Sequence, residues 1–514
     1  MESSFLSIIP PIIIIALVII TRRIVLSLGI GIIVAALVLN NGQISQSIST
    51  VIDAIVHIFY SDGEWNSGNF YILSFLLLLG ILTGLITALG GNRAFGALIG
   101  RRIKTKRGAQ LMTATCGISL FPDDVFNMFV TSQITTPVID HTKVPRTKLA
   151  YIIHSTSDPT CVLCPLSSWG AYIIAILTSI FTVHNMPESP LVAFMIIATT
   201  NFYAISTLLF VFSSASFDIN IGKMGQQLNN NDEQKAESDS NRGKVSDLII
   251  PVSILIIIAV AMMVITGYKN SGSFNLSQIF SNSEVSLSLM SGALFASLAG
   301  FLLFFRQVTA MNQQLNSLPS ILVKGLKTTV PAVEILIYAW MLSYFIGELG
   351  TGEYLAHFIE QTTLPVSLLP FILFLLTGAM AFSTGTSWGT FAIMLPIAAQ
   401  IAVTSDPSIM FFLMSAVLSG SLFGDHCSPV SDTTTVASVA AGCTQIQHVS
   451  TQLPYALICA GITACSFLLL GLTEMRIVPY AFILISLVVI VTYFIKKQKQ
   501  QQYKNEQETL SRVI

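Results

Sequence analysis

A chain of 514 residues is long enough for several soluble domains, yet 53% of it is hydrophobic and only 10% charged, with a mean hydropathy of +0.74. Soluble proteins carry about a quarter charged residues, so lipid is the solvent for most of this chain. A soluble enzyme, a secreted disulfide scaffold and a disordered regulator are excluded, and a net charge of −1 offers no basic field for nucleic acid.

The first apolar run, Phe5 to Thr21, is followed and not preceded by its basic pair, Arg22 and Arg23, and shows no small-residue cleavage site. It reads as a retained span with its N-terminus outside. A window of about twenty residues then predicts simple spans at Ile24 to Asn40, Phe70 to Gly90, Pro190 to Ser213, Leu248 to Tyr268, Val285 to Phe305, Val330 to Gly350, Leu453 to Thr473 and Ile477 to Ile495. Ile44 to Tyr60 and Leu318 to Thr329 are amphipathic and read as interfacial helices. GxxxG at Gly80 and Gly84 reads as ordinary helix packing.

Four apolar stretches are interrupted. Ala109 to Ile139 is broken by FPDD at 121–124, and Leu149 to Phe181 by SDPTCVLCPLSS at 157–168. Val366 to Val403 is broken by STGTSWGT at 383–390, and Ile409 to Ala441 by GDHCSPVSDTTT at 424–435. The seven cysteines all lie in apolar sequence, and the CxxC of Cys161 and Cys164 lacks the further ligands of a zinc site, so these read as inert thiols.

Basic residues orient the elements. Arg93, Arg101, Arg102, Lys104, Lys106 and Arg107 precede the first broken stretch, and Lys143, Arg146 and Lys148 follow it. Both flanks read as cytoplasmic, which makes Ala109 to Ile139 a re-entrant hairpin. The flanks of Val366 to Val403 carry Glu353, Glu360 and Asp406 without Lys or Arg, so that hairpin enters from the opposite face. The polar stretch Asp218 to Asp247 reads as a solvated cytoplasmic linker, and Arg306, Lys324, Lys327 and the tail from Lys496 also fall inside.

Shifting the chain by 264 residues aligns Ser119 with Ser383, Ser155 with Ser419, Ser157 with Ser421, Pro165 with Pro429 and Ser167 with Ser431. Only eight of the 62 positions from 109 to 170 match, but most of those matches sit at the breaks. With the opposite orientation of the halves, this predicts an all-α polytopic membrane protein built as an inverted-topology repeat. It has about eleven spanning helices, two re-entrant hairpins and two discontinuous helices around a midplane site. The expected units are 1–69 (N-terminal helices and interfacial segment), 70–213 (first repeat), 214–329 (linker and connecting helices), 330–444 (second repeat) and 445–514 (two last helices and a cytoplasmic tail).

Charge constrains what such a site binds. No Lys or Arg occurs from Thr328 to Met475, yet Glu334, Asp425 and Asp432 lie there; Asp123, Asp124 and Asp158 lie at the breaks of the first half. An ionised carboxylate at a helix centre costs roughly 2.5–3.5 kcal/mol on insertion scales. Without a basic partner, a bound cation or a proton is left to neutralise it. Carboxylates out of water hold protons more tightly, and hydroxyls and freed carbonyls at the breaks complete an oxygen shell for a hard cation.

Each residue also has a plainer reading. Asp425 and Asp432 are placed as helix caps would be; of Asp123 and Asp124, one reads as cap and one as ligand, and the order stays open. Asp158 precedes Pro159, whose ring disfavours helix at 158 and frees carbonyls there. Glu334 reads as reaching the interface, His154 as a satisfied core residue, His426 as core or proton carrier, and Trp169 and Trp388 as packing around the breaks.

GDHCSPVSDTT at 424–434 closely resembles the signature of the NhaC-type Na+/H+ antiporter family, within the ion-transporter superfamily. FPDDVFN (121–127), STSDPT (155–160) and STGTSWGTF (383–391) resemble its other segments in the same order, and the resemblance runs from about Ser3 to Lys496. It implies a bacterial inner-membrane secondary transporter with paired hairpins and interrupted helices. Carried over by position, it implies a site of Asp123, Asp124, Asn127, Ser157, Asp158 and Thr160 with Ser383, Thr384, Thr386, Ser387, Asp425, His426, Ser428 and Asp432.

The expected function is therefore Na+/H+ antiport by alternating access, with no cofactor beyond the transported Na+ and H+. Coupled movement of a small organic carboxylate or amino acid is the alternative, since SSW at 167–169 and STGTSW at 383–388 offer hydroxyls and half-helix N-termini to a carboxylate. A channel or intramembrane enzyme is the third class; no nucleophile or zinc constellation supports an enzyme. The expected partners are the bilayer and small cations, in the cell membrane with the C-terminus cytoplasmic, and a homodimer is left open.

Overall fold

The computed structural model describes residues 5–21, 23–61, 63–91, 94, 103–184, 186–226, 243–311, 318–350, 354, 365–429 and 431–513. Arg22, Arg93, Arg101, Arg102, Glu353, Glu360 and linker residues 227–242, on which part of the orientation rests, lie outside the described residues.

Helices dominate. Ile9–Thr21 (α1) and Ile24–Leu39 (α2) open the chain. At 13 and 16 residues they are about 20 and 24 Å long at 1.5 Å per residue, short of a hydrocarbon core of about 30 Å. A 3₁₀ turn, Phe5–Ile8, runs into α1, so the apolar helical run begins at Phe5 as expected; it and α2 are shorter apolar helices packed on each other. Ile44–Phe59 (α3) buries Ser47, Ala54 and Ile58 and turns Ile44, Ile48, Ile52 and Ile55 outward. An outward apolar stripe at this spacing is stable against lipid, as an interfacial helix requires. Among the described residues the strand pairing is a two-residue antiparallel ribbon, Tyr60–Ser61 with Glu64–Trp65.

Ser67–Leu89 (α4) leads to the first set of broken helices: Lys106–Ser119 (α5), Asp124–His141 (α6), Arg146–Leu163 (α7), Ser168–Val183 (α8), Pro190–Thr199 (α9) and Phe202–Phe217 (α10). Ser246–Ser271 (α11), Val285–Met311 (α12) and Leu318–Glu348 (α13) connect it to the second. That set is Leu369–Thr384 (α14), Ser387–Ser405 (α15), Met410–Cys427 (α16) and Asp432–Ala441 (α17), followed by Gln445–Thr473 (α18) and Ile477–Val513 (α19). Ten described helices are long and apolar enough to cross a membrane, or eleven if one bent pair counts as a span.

The two sets keep register. α7 and α16 lie 264 residues apart at both ends, α8 and α17 begin 264 apart, and the starts of α5 and α14, and of α6 and α15, fall within one residue of that spacing. Ser167 and Ser431, also 264 apart, each cap the following half-helix, accepting from Gly170 N and Thr434 N. These aligned serines perform the same backbone task, whereas Ser155 and Ser157, with Ser419 and Ser421, fall inside α7 and α16, ahead of the breaks.

Three expectations change. Pro190 to Ser213 is not a simple span: α9 and α10 meet at a 50° bend, where Asn201 caps α10 by accepting from Ala204 N at 3.1 Å. Helix α7 runs unbroken through Asp158 and Pro159, and the break falls later, at 164–167. Pro159 has no N–H to donate, so Ser155's carbonyl lacks its helical donor without any loss of helix at 158. Leu318 to Thr329 is no separate interfacial helix but the first third of α13, packed on α4 where Gly80 meets Gly325; a Cβ on Gly325 would lie 2.1 Å from Gly80's carbonyl oxygen. That contact is the helix packing expected of the GxxxG.

A second close crossing joins α14 to α16. A Cβ on Gly424 would lie 2.2 Å from Gly378's carbonyl oxygen, and one on Gly420 would lie 2.0 Å from Thr377 Oγ1. Small residues let helix backbones approach where apolar burial gives no drive between helices in lipid. Gly424→Ala should therefore destabilise by about 1–3 kcal/mol, the usual range for overpacking, seen as a lower melting temperature in detergent. Gly461→Ala, with nothing within 4 Å of its Cβ, should melt like wild type.

Candidate functional site

The breaks of each set pack on one another. In the first, Ser168 N donates to Pro122 O (2.8 Å), Ser168 Oγ to Asp123 Oδ2 (3.0 Å) and Cys161 Sγ to Phe121 O (3.3 Å). In the second, Ser428 Oγ donates to Phe382 O (2.7 Å) and Ser387 Oγ to Ser421 O (3.3 Å). A helix end leaves N–H and C=O groups without intrahelical partners, so pairing two breaks satisfies part of each. Trp169, Trp388 and Phe391 fill the space between the sets, with Trp169 edge-on to both other rings and Tyr172 OH donating to Trp388 O at 3.2 Å.

Asp158 and Asp425 come together where α7 and α16 face each other, and both are wholly buried. His154, one helical turn before Asp158, places Nε2 3.3 Å from Asp158 Oδ2 and 3.9 Å from Asp425 Oδ2. His426 Nε2 lies 3.8 Å from Asp158 Oδ2, and its Nδ1 lies 3.1 Å from Tyr203 OH on α10. Ser157 Oγ donates to Asp158 Oδ1 at 2.9 Å; Ser431 Oγ donates to Asp425 Oδ1 at 2.8 Å, and Thr433 Oγ1 donates to Asp425 Oδ2. Asp158 Oδ2 and His426 Nε2 are buried without a hydrogen-bond partner. Among the described residues, no Lys or Arg stands within ion-pair distance of either carboxylate.

Helix α18 closes this cluster. His448 Nε2 and Gln452 Nε2 each lie 3.0 Å from His154 Nδ1, and Gln452 Nε2 also donates to His426 O at 2.9 Å. Donation to a carbonyl fixes the amide, so Gln452 also donates at His154 Nδ1, and neutral His154 carries its proton on Nε2. Thr433 Oγ1, whose own proton goes to Asp425, accepts it at 3.0 Å.

Other expected residues have other tasks. Asp123 is the cap of α6, accepting from Phe126 N at 2.9 Å, and Asp124 is buried on the first turn of that helix. Asn127 is consumed at both ends of its amide, donating to Gly117 O (2.6 Å) and accepting from Thr131 Oγ1 (3.0 Å). It ties α5 to α6. Thr386 caps α15, Ser383 and Thr384 bond back to their own helix, and Thr160 Oγ1 is buried without a partner. Asp432 is not the cap, which is Ser431; it sits exposed on the first turn of α17 with Oδ1 accepting from Thr433 N. Glu334 is exposed.

Sequence reasoning set His154 aside as core, though its spacing of four from Asp158 puts both on one face of a helix. His448, Gln452, Tyr203 and Thr433 were missed outright. The His448 and Gln452 pair shows the same spacing of four, but in a helix that had no break to draw notice. Lys148, read as part of a cytoplasmic flank, is wholly buried, donating to Ile219 O at 2.7 Å with its Nζ 5.1 and 4.9 Å from the ring centres of Tyr151 and Tyr455.

The Na+/H+ antiporter family model matches residues 160–472, which spans α8, both helix sets' junction and the second carboxylate. The chain belongs to this family. It is a multi-pass membrane protein and a secondary transporter. Over 511 residues it is 40% identical to an uncharacterized protein of Haemophilus influenzae, covering 97% of this chain and 96% of that one. A Bacillus subtilis malate-2H+/Na+-lactate antiporter is 38% identical over 93 residues, 18% of this chain and 19% of that one. The fold is similar to that of Neisseria gonorrhoeae MtrF, described with a class of antimetabolite efflux pumps (TM-score 0.56, 13% identity, 84% of each chain). It is equally similar to the Alcanivorax borkumensis YdaH transporter (TM-score 0.55, 13% identity, 83% of this chain and 89% of that one).

In this family member, Ser167 and Ser431 separate structure from chemistry. Loss of either cap should lower stability by about 0.5–2 kcal/mol, read as a melting shift in detergent for Ser167→Ala and Ser431→Ala. Only Ser431 also touches a buried carboxylate, donating to Asp425 Oδ1.

Proposed function

We propose that this transporter exchanges Na+ for H+, with Asp158 and Asp425 as the shared carboxylates and alternating access between the two repeats. The observation that carries the reading is Asp158 Oδ2, fully buried with only the imidazoles of His154 (3.3 Å) and His426 (3.8 Å) beside it and, among the described residues, no Lys or Arg within ion-pair distance. An ionised carboxylate there needs a positive partner. A proton supplies it by converting the group to its acid, and Na+ supplies it as an ion; having both at once gains little. His154, between the carboxylates, gives a departing proton a place to go. Asp124, freed from capping, and the unpartnered Thr160 hydroxyl add oxygens on the same side of the first set. The inverted arrangement of the repeats and the re-entrant course of α5–α6 and α14–α15 belong to this proposal, as the means by which the cluster faces each side in turn.

Proteoliposomes with an acidic lumen and a trapped pH dye should become more alkaline inside when Na+ is added outside. Silence toward Na+, Li+ and K+ would sink the reading. Asp158→Asn and Asp425→Asn should each abolish the response while the protein still purifies as a single species, because the neutral isostere keeps shape and removes the charge. As pH falls the carboxylates hold protons more often, so the apparent Na+ affinity of the wild type should weaken with acid.

A second reading has its own support. Trp169 Nε1 is a buried N–H without a partner beside the N-terminus of α8, and the Bacillus subtilis relative is named for malate and lactate. We infer from these that a small carboxylate is the alternative cargo, held at that N–H and the half-helix N-terminus. A melting-temperature screen of organic acids and amino acids, with and without Na+, would show Na+-dependent stabilisation; none for any compound would count against it.

A further inference from the structure

The donor set of the central cluster is not that of a site built for a hard ion alone. His154 Nε2, His426 Nε2 and a carboxylate oxygen of Asp158 lie within 4.8 Å of one another, and Asp425 Oδ2 stands 3.9 Å from His154 Nε2. Hard cations take oxygen ligands, whereas imidazole nitrogen suits zinc, copper, nickel and iron. A tetrahedral zinc site with bonds of about 2.0–2.1 Å places its ligand atoms roughly 3.3 Å apart. Three of the separations are 3.3, 3.8 and 3.9 Å and the triad lies within 4.8 Å, so side-chain rotation of up to about 1.5 Å draws the donors to that spacing.

Two of these atoms, Asp158 Oδ2 and His426 Nε2, are buried and unpartnered and face each other. A buried polar atom without a partner calls for an explanation. We propose that His154, His426, Asp158 and Asp425 bind one divalent transition-metal ion in a four-coordinate N2O2 site.

The surroundings supply the outer shell that metal-bound imidazoles require. Tyr203 OH stands at His426 Nδ1, ready to accept its proton while Nε2 faces the ion. Metal at His154 Nε2 displaces the proton now directed at Thr433 and places one on Nδ1, where His448 Nε2 at 3.0 Å accepts it as Gln452 lets go. The ion and the exchanged Na+ or H+ then compete for the same two carboxylates.

The test is direct binding to tag-free, full-length protein in detergent. Wild type should retain one Zn2+ per chain through gel filtration, and Co2+ should give the intense visible absorption of a four-coordinate site, undiminished by excess Mg2+. Asp158→Asn and His426→Asn should lose the ion, and His448→Ala should weaken Zn2+ by about 10- to 100-fold, as loss of an outer-shell partner does. A weak, six-coordinate Co2+ spectrum, or Zn2+ retention unchanged in both ligand variants, overturns the proposal. Should a variant fail to fold, the wild-type Co2+ spectrum decides alone. The proposal shares residues with the exchange reading, yet the two fail separately: binding without Na+-driven flux removes exchange, and flux without binding removes the metal site.

Discussion

Burying two carboxylates in a lipid-embedded core with no permanent cation beside them is the constraint on which this structure turns. Charge of that kind is not tolerated by a continuous apolar helix bundle. The chain meets it with hydroxyls from Ser157, Ser431 and Thr433, and with the imidazoles of His154 and His426, groups that soften negative charge without cancelling it. A lysine or arginine in their place would form a closed ion pair.

The helix breaks follow from the same need. A broken helix frees backbone groups at membrane depth, which lipid cannot hydrogen-bond, so each break must be sheltered in protein. Here each set shelters one break with the other, through Ser168 and Pro122 in the first and Ser428 and Phe382 in the second. The serine caps at 167 and 431 and the aligned bounds of α7 and α16 show how two sequences with few shared residues arrive at one backbone solution. What repeats is the placement of hydroxyl, proline and chain break, while the chemistry-bearing residues differ: Asp158 and Asp425 are one turn out of equivalence.

Composition and the interrupting polar strings made the membrane class, the broken helices and both central aspartates legible, because the penalties for polar groups in lipid are large and local. What stayed hidden was set by packing between distant segments. His448 and Gln452 have no distinguishing neighbours in sequence and matter only because α18 lies against α7 and α16. The division of labour between Asp123 and Asp124 depends on which one takes extended backbone at the helix start, a matter of a single dihedral angle. Asn201 was passed over because one polar residue in an apolar run rarely ends a helix, yet here Thr200 and Asn201 together turn the chain by 50° beneath His426's partner Tyr203. At Asp432 the plainer reading as a cap gives way, because the neighbouring Ser431 takes that place.

Lys148 gives α7 a fixed foot. Its ammonium is held by the carbonyl of Ile219 and by the faces of two tyrosines, one of which, Tyr455, also receives Ile221 N. Ten residues further along the same unbroken helix, about 15 Å at 1.5 Å per residue, stands Asp158. The chain leaving α10 and the buried carboxylate are therefore the two ends of one stiff rod. Whatever pulls on that exit, at the base of the bundle, is transmitted to the buried carboxylate as a displacement of the rod, with no need for the intervening side chains to rearrange.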